Sequence, residues 1–152
     1  MPTVHSIISR KGTQVHTISA DESVLAAADR MNERGIGGLV VVDGDRMVGI
    51  VTERDILRRV VAAEKSPALT PVRMVMTSQV ACCRPETTLI ECRSVMTEHR
   101  IRHLPVVDER GLCGIVTIGD LMAQEVGEHQ ATIEFLNGYI FGPATREDQF
   151  VK

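Results

Sequence analysis

At two places in this 152-residue chain an apolar run ends in a threonine with an aspartate three positions later. Thr52 and Asp55 form one such phrase, Thr117 and Asp120 the other, and each follows an apolar, β-branched run. Such a pair at a strand-to-helix junction can do either of two things. It can cap the new helix, satisfying amide groups that the first turn leaves unpaired. Alternatively, those outward-pointing amides and the hydroxyl can hold a phosphate, while the carboxylate accepts hydrogen bonds from two vicinal sugar hydroxyls. A nucleotide presents both groups on one molecule.

Basic residues stand close to both phrases. Arg54 lies inside the first, and Arg102 and His103 occupy the positions that Gly37 and Gly38 hold ahead of it. Arg102 can grip a phosphate bidentately and Arg54 can add a second charge; the plainer reading is that Arg54, Arg100 and Arg102 line a solvated surface. Gly119 stands where the first phrase has Arg54, so the two sites are expected to be unequal. His103 reads equally well as a structural residue at a strand start, and His5, His99 and His129 as surface residues.

Other chemistries find no constellation. The chain has no H-E-x-x-H and no Cys/His or Ser/His/Asp arrangement, and each aspartate is explained without catalysis. The glycines at 35, 37 and 38 precede a strand, whereas a dinucleotide-binding fingerprint follows one. Cys82, Cys83, Cys92 and Cys113 show no C-x-x-C spacing and read as small buried hydrophobes. No enzyme, metal site or catalytic cofactor is expected. An enzyme would turn over an added nucleotide, whereas a sensor returns it unchanged.

The elements that position these phrases come from a duplication. Residues 36–56 and 101–121 align without a gap at an offset of 65, Gly49 falling on Gly114. Ile36, Leu39, Val41, Val42, Asp43, Ile50, Val51, Thr52 and Asp55 recur as Ile101, Leu104, Val106, Val107, Asp108, Ile115, Val116, Thr117 and Asp120. The offset carries back to Val15 and Val80. In each copy a short strand (near 15–18, and 80–83) leads into an amphipathic helix. The first helix opens on a capping box at 19–22 and runs to about Arg34; the second spans 87–99. Apolar runs at 39–42 and 47–51, joined by 43–46, give a hairpin that recurs over 103–116. A second helix runs from the first phrase to about Ala63, and its counterpart starts at 118. Each unit is β-α-β-β-α.

The fold class is therefore α/β (α+β): two such repeats packed sheet to sheet with pseudo-two-fold symmetry, because neither covers both faces of its own sheet. Repeat one spans 1–64 with an N-terminal helix at 4–11 packing on the second copy; 65–72 is a linker, 73–126 repeat two, and 127–152 a helical extension and tail. The helix from 118 is expected to end near Asn137-Gly138, with Leu121, Val126, Ile133, Leu136 and Ile140 on one stripe. That stripe suits a partner subunit, or folds back on its own copy. Residues 143–152 read as a loose end. Aromatics are only 3% of the chain, so the core must be aliphatic. A net charge of −3 leaves no broad footprint for nucleic acid or an anionic membrane. No apolar run approaches a membrane span and no secretory signal opens the chain, so a cytoplasmic location is expected.

The duplicated phrases GIVTERD at 49–55, RHLPVVD at 102–108 and TIGDL at 117–121 resemble those of tandem cystathionine-β-synthase (CBS) domains, over roughly residues 4–126. The resemblance is nearest to small stand-alone bacterial CBS pairs. It implies two clefts between the copies that take an adenosyl ligand: AMP, ADP, ATP, NAD or S-adenosylmethionine. It also implies that each adenine wall comes from the opposite copy's first strand. The Asp120 cleft would then use Ile115, Thr117, Val15 and His16, with Ile36 and Gly37 nearby. The Asp55 cleft would use Ile50, Thr52, Val80 and Ala81, with Ile101 and Arg102 nearby. The family position of Arg102-His103 often supplies the basic side chain on phosphate, and stand-alone members are typically homodimers forming a flat disc. The resemblance thus implies a non-catalytic sensor read by an unidentified downstream protein. A ligand-independent dimerisation module and a nucleic-acid binder are the alternatives.

Overall fold

A computed structural model of the chain describes residues 1–141; the tail expected to be loose, 143–152, lies outside the described residues. The first repeat holds β1 (Thr17–Ser19), α2 (Val24–Arg34), β2 (Gly38–Asp43), β3 (Arg46–Thr52) and α3 (Glu53–Ile56), which runs on as a π-helical turn (Leu57–Val61). The second holds α4 (Leu89–His99), β4 (His103–Asp108), β5 (Gly111–Thr117) and α5 (Ile118–Phe141). Ahead of them lie α1 (Val4–Lys11) and a 3-10 turn at Val72–Met74. The hairpins superpose in register down to their irregularities: a bulge falls between Val41 and Val42, and again between Val106 and Val107.

The expected strand at 80–83 is where the copies part. In the first repeat β1 runs parallel to β2 over three residue pairs, flanked by bonds from Val40 N–H to His16 O (3.1 Å) and from Ala20 N–H to Val42 O (2.9 Å). The residues matching those two donors are Pro105 and Pro85. Neither has an N–H to give. The ladder shrinks to one bridge, Cys83 with Val106, and the second sheet keeps two strands.

Helix starts also differ from the sequence reading. Glu22 does accept from Ser19 N–H (3.0 Å), as a capping box requires, but it serves the turn before the helix. The cap is Ser23, whose hydroxyl accepts from Ala26 N–H (3.1 Å). In the second repeat Thr88 and Glu91 form the complete reciprocal box. Both helices end in the left-handed region, at Gly35 (φ 63°) and at the matching Arg100 (φ 53°), where a side chain is costly.

Each repeat's core is completed by the segment that introduces the other. Val72 and Val75, which lead into repeat two, are fully buried against Ile18, Val24, Leu39, Val41 and Val51 of repeat one. Val4 and Ile7, which lead into repeat one, are buried with Cys92, Leu104, Val106 and Val116 of repeat two. The backbone contacts match one for one: Val72 N–H donates to Glu22 O and Arg73 N–H to Ala20 O, as Val4 N–H does to Thr87 O and His5 N–H to Pro85 O. These leading segments are equivalent at an offset of 68, not 65. Residues 65–72, expected as a mere connector, therefore dock on α2, with Val24 N–H donating to Thr70 O and Leu25 N–H to Pro67 O. Of the four cysteines, Cys83 and Cys92 are buried and Cys113 half-buried, whereas Cys82 is exposed, contrary to the expectation of burial. α5 continues past Asn137-Gly138 to Phe141. Leu121 is buried, but Val126, Ile133, Leu136 and Ile140 are exposed, so this stripe does not fold back onto its own repeat.

The docked segments explain the paired glycines. A Cβ at Gly49 would lie 2.6 Å from Thr77 O and 2.9 Å from Met76 Sδ; one at Gly114 would meet only the tip of Ile8 at 3.2 Å. Gly49→Ala is expected to cost about 1–3 kcal/mol through overpacking against backbone, and Gly114→Ala less, because Ile8 Cδ1 can rotate away. Urea unfolding of the two variants beside the parent measures the difference.

Candidate functional site

Both Thr/Asp phrases lie where the sequence places them, at the ends of β3 and β5 as each strand turns into a helix. The two corners are built on one plan. Thr52 N–H donates to Asp55 Oδ2 (3.0 Å) and Thr117 N–H to Asp120 Oδ2 (2.8 Å). In return Asp55 N–H donates to Thr52 Oγ1 (3.4 Å) and Asp120 N–H to Thr117 Oγ1 (3.2 Å). Capping is thus present at both. It does not exhaust the carboxylates, and what it leaves differs between the corners.

The Asp55 corner is closed by protein groups. Asp55 is 8% exposed. Its Oδ2 also accepts from Thr52 Oγ1 (3.2 Å), and Oδ1 accepts from Thr77 Oγ1 (3.2 Å) with Arg59 Nη1 3.9 Å away. Thr77 is held there by a two-bond bridge to Ile50, the last contact of the docked segment with β3. The Asp120 corner is more open. The Asp120 side chain is 22% exposed, and among the described residues its Oδ1 accepts no hydrogen bond. Oδ2 accepts from Thr117 N–H and from Lys11 Nζ (2.7 Å), which also donates to Ile115 O (3.1 Å). Ile115 is half-buried where its counterpart Ile50 is buried. Neither Thr77 nor Lys11 was singled out from sequence. Both lie in the leading segments, whose equivalence the offset of 65 does not display.

The other candidates fall around these corners. Val15 and His16, half-buried, precede β1, and the chain reaches them four and five residues after Lys11. Val80 and Ala81, half-buried, follow Thr77 in the same way. Ile36 packs on the first core and Ile101 on the second. Glu53 N–H donates to Gly37 O (3.0 Å), and the equivalent Ile118 N–H to Arg102 O (2.9 Å), which ties each corner to the start of its own hairpin. Arg102 is exposed. Arg54 Nη1 donates to Arg100 O (2.8 Å), two residues before Arg102, so it spans from one repeat to the other. His103 also spans the repeats: a Cβ on Gly38 would sit 3.2 Å from its Nε2. The imidazole fills the space its symmetry mate leaves empty. Among the described residues no group of three His, Cys, Asp or Glu could hold a metal, and no helix is long and apolar enough to cross a membrane.

The CBS-domain family model matches residues 4–62 and 72–127, both copies of the repeat. The chain is 34% identical over 149 residues to the CBS domain-containing protein CBSX3, mitochondrial, of Arabidopsis thaliana, covering 92% of this chain and 72% of that protein. A solved protein with CBS domains from Burkholderia ambifaria MC40-6 is 43% identical, with a TM-score of 0.81 over 83% of this chain and 95% of its own. The crystal structure of CBSX2 in complex with AMP is 26% identical, with a TM-score of 0.69 over 85% and 99%.

His103 gives the junction a pH signature. Its burial lowers the imidazole pKa, opposed by the nearby charges of Glu53 and Asp120 and assisted by Lys11 and Arg102. The folded state therefore favours neutral histidine, and the unfolded chain binds the proton more readily. Stability from this group is present above its unfolded value near 6.5 and declines as pH falls below it. Chemical denaturation between pH 7.5 and 5 should show a steeper loss for the parent than for His103→Gln.

Proposed function

Because this chain belongs to the CBS-domain family and carries the domain twice, we propose that it is a non-catalytic regulatory module that binds an adenine nucleotide between its repeats. AMP, ADP, ATP or NAD is the ligand class, and the bound state alters the relation of the repeats or of two subunits for a downstream protein to read. The observation that carries this reading is the Asp120 corner. A carboxylate with one oxygen unpartnered among the described residues stands beside a capped helix start and a half-buried apolar strand residue, and its other oxygen accepts from the cap amide and from an exposed lysine. Vicinal ribose hydroxyls fit that carboxylate, and Ile115 with Val15 and His16 suits a flat purine edge. The AMP complex of a protein sharing this fold supports the ligand class.

The Asp55 corner carries the same Thr/Asp pair but is satisfied by Thr77, which favours a structural role there. A ligand at Asp55 has to replace the Thr77 hydroxyl on a buried carboxylate, whereas the Asp120 carboxylate is more exposed and is met by an exposed lysine, so the Asp120 corner fills first. Arg54, Arg102, Ile50, Thr52, Val80, Ala81 and Ile101 belong to that second site.

Ligand that binds only the folded state at a hundredfold excess over its Kd stabilises it by about 2.7 kcal/mol. Thermal unfolding with AMP, ATP and NAD should show such a rise for the parent. Asp120→Ala should lose most of it, Asp55→Ala less, and recovered nucleotide should be chemically unchanged. An undiminished response in both variants contradicts the site, and turnover contradicts the non-catalytic reading.

A homodimer accompanies this proposal. Leu57 and Val61 on the helix after β3 are each 61% exposed, beside a hollow of about 280 Å³ lined also by Ala28, Met31 and Ile56. Such a surface suits a second copy. Light scattering should find two subunits in the parent and one in a Leu57→Glu, Val61→Glu double variant.

A further inference from the structure

Lys11 occupies a position that the duplication did not supply. From Ile8 to Val15 the chain takes seven steps; the equivalent path from Met76 to Val80 takes four. The shorter path leaves Thr77 tied to Ile50 and over Asp55. The longer one lets α1 run on to its last residue, Lys11, which places an ammonium group on Asp120 Oδ2 and on Ile115 O.

A carboxylate oxygen has two lone-pair directions. Those of Asp120 Oδ2 are taken by Thr117 N–H and Lys11 Nζ, and Oδ1 is open. A ribose diol that uses both oxygens must therefore displace Lys11. Once displaced, the ammonium loses its counter-ion but remains tethered at the mouth of the corner by a helix whose Val4, Ile7 and Ile8 are locked in the second core. The loss is made good only if the incoming molecule carries an anion of its own.

We infer that Lys11 is a specificity-determining residue of the Asp120 corner. It competes with the ribose for the carboxylate and rewards only ligands bearing a phosphate. The inference rests on the nucleotide reading above and sharpens it: phosphorylated adenosines are accepted, while neutral adenosine and the sulfonium-bearing S-adenosylmethionine are disfavoured. Adenosine leaves the displaced ammonium unpaired, and S-adenosylmethionine, a net cation, sets its sulfonium on the ribose 5′ carbon, nearer the ammonium than its own carboxylate. The matching crossing, Met76 to Val80, carries no lysine, and Asp55 Oδ1 there takes the Thr77 hydroxyl instead, so the Asp55 corner has no such filter.

Calorimetric titration of the full chain with AMP, adenosine and S-adenosylmethionine tests this, in the parent and in Lys11→Met and Lys11→Arg. Met retains the aliphatic stem, and circular dichroism with a melting curve reports whether α1 stays docked. The parent should prefer AMP to adenosine by on the order of tenfold or more, the scale of one charge-assisted contact. In Lys11→Met the preference should fall severalfold, with adenosine binding more tightly than to the parent because Asp120 is freed. Lys11→Arg should retain the preference. An AMP-to-adenosine ratio in Lys11→Met equal to the parent's, with AMP binding still lost in Asp120→Ala, overturns the role of Lys11 and leaves the nucleotide reading standing. Absence of Asp120-dependent binding by any of the three compounds overturns both.

Discussion

Val4 and Ile7 are buried in the repeat they do not introduce, and Val72 and Val75 likewise. A sheet of two or three strands with two helices has too little apolar cover of its own, and small units of this kind are marginal when left incomplete. Exchanging the leading segments gives each repeat an extra buried turn and, at the same stroke, makes folding of one depend on the presence of the other. It also fixes where the chain must travel next. Having completed the opposite core, each segment has to cross to its own first strand, and the way lies past the Thr/Asp corner at the end of the neighbouring hairpin. That crossing brings Thr77 over Asp55 and Lys11 over Asp120. The corners owe their partners to chain routing.

Departures from symmetry then follow from a few covalent facts. Two prolines, Pro85 and Pro105, stand where the first repeat has Ala20 and Val40, and the donors they lack are the two that flank the β1 ladder there. The second repeat's first strand keeps a single bridge at Cys83, and Val80 and Ala81 lie outside any regular ladder. Across the junction, Gly38 and His103 trade a void for a ring. Three residues more in one crossing put a charged side chain where the other has a hydroxyl. Two corners descended from one ancestor are thus a buried carboxylate enclosed by threonine hydroxyls and a half-buried one held by a lysine.

Much of this was legible in the chain. The offset of 65 located both hairpins and both Thr/Asp pairs, because β-branched runs and tight turns tolerate few alternatives. The exchange of segments was only half visible. Residues 4–11 were expected on the second copy, but the reciprocal docking of 65–72 was not, since Val4-Ile7 matches Val72-Val75 only at an offset of 68 and the change of register falls inside the crossing. The shortened strand at 80–83 could have been read from Pro85 and Pro105, whose missing N–H groups are explicit in the sequence. Lys11 could not: nothing in the repeat corresponds to it, and its contact with Asp120 spans 109 positions. The helix start at Ser23 was missed for a different reason. The Glu22 carboxylate does accept from Ser19 N–H, but in a turn that precedes the helix, and the Ser19 hydroxyl accepts from Asp21 N–H instead of closing the box, so the local signal was real and its element misassigned.

The same routing shows how an occupied corner can be felt elsewhere. Lys11 ends a helix anchored in the second core, and the residues after it enter β1 of the first sheet. In the proposed reading a ligand on Asp120 touches three bodies at once: the β5-to-α5 corner, the end of α1, and the segment at Val15 and His16 that belongs to the other repeat. A ligand shifts a structural equilibrium only by the difference in its affinity for the two states. Here that difference has a material source. The contacts to Ile115 and Asp120 are made within the second repeat whatever the angle between repeats, whereas those to Val15 and His16 are made only when the first repeat stands at the right distance. α5 starts at the same corner and carries its exposed apolar stripe away from it, so in the proposed reading a change in the angle between repeats is delivered to a surface that another chain can read.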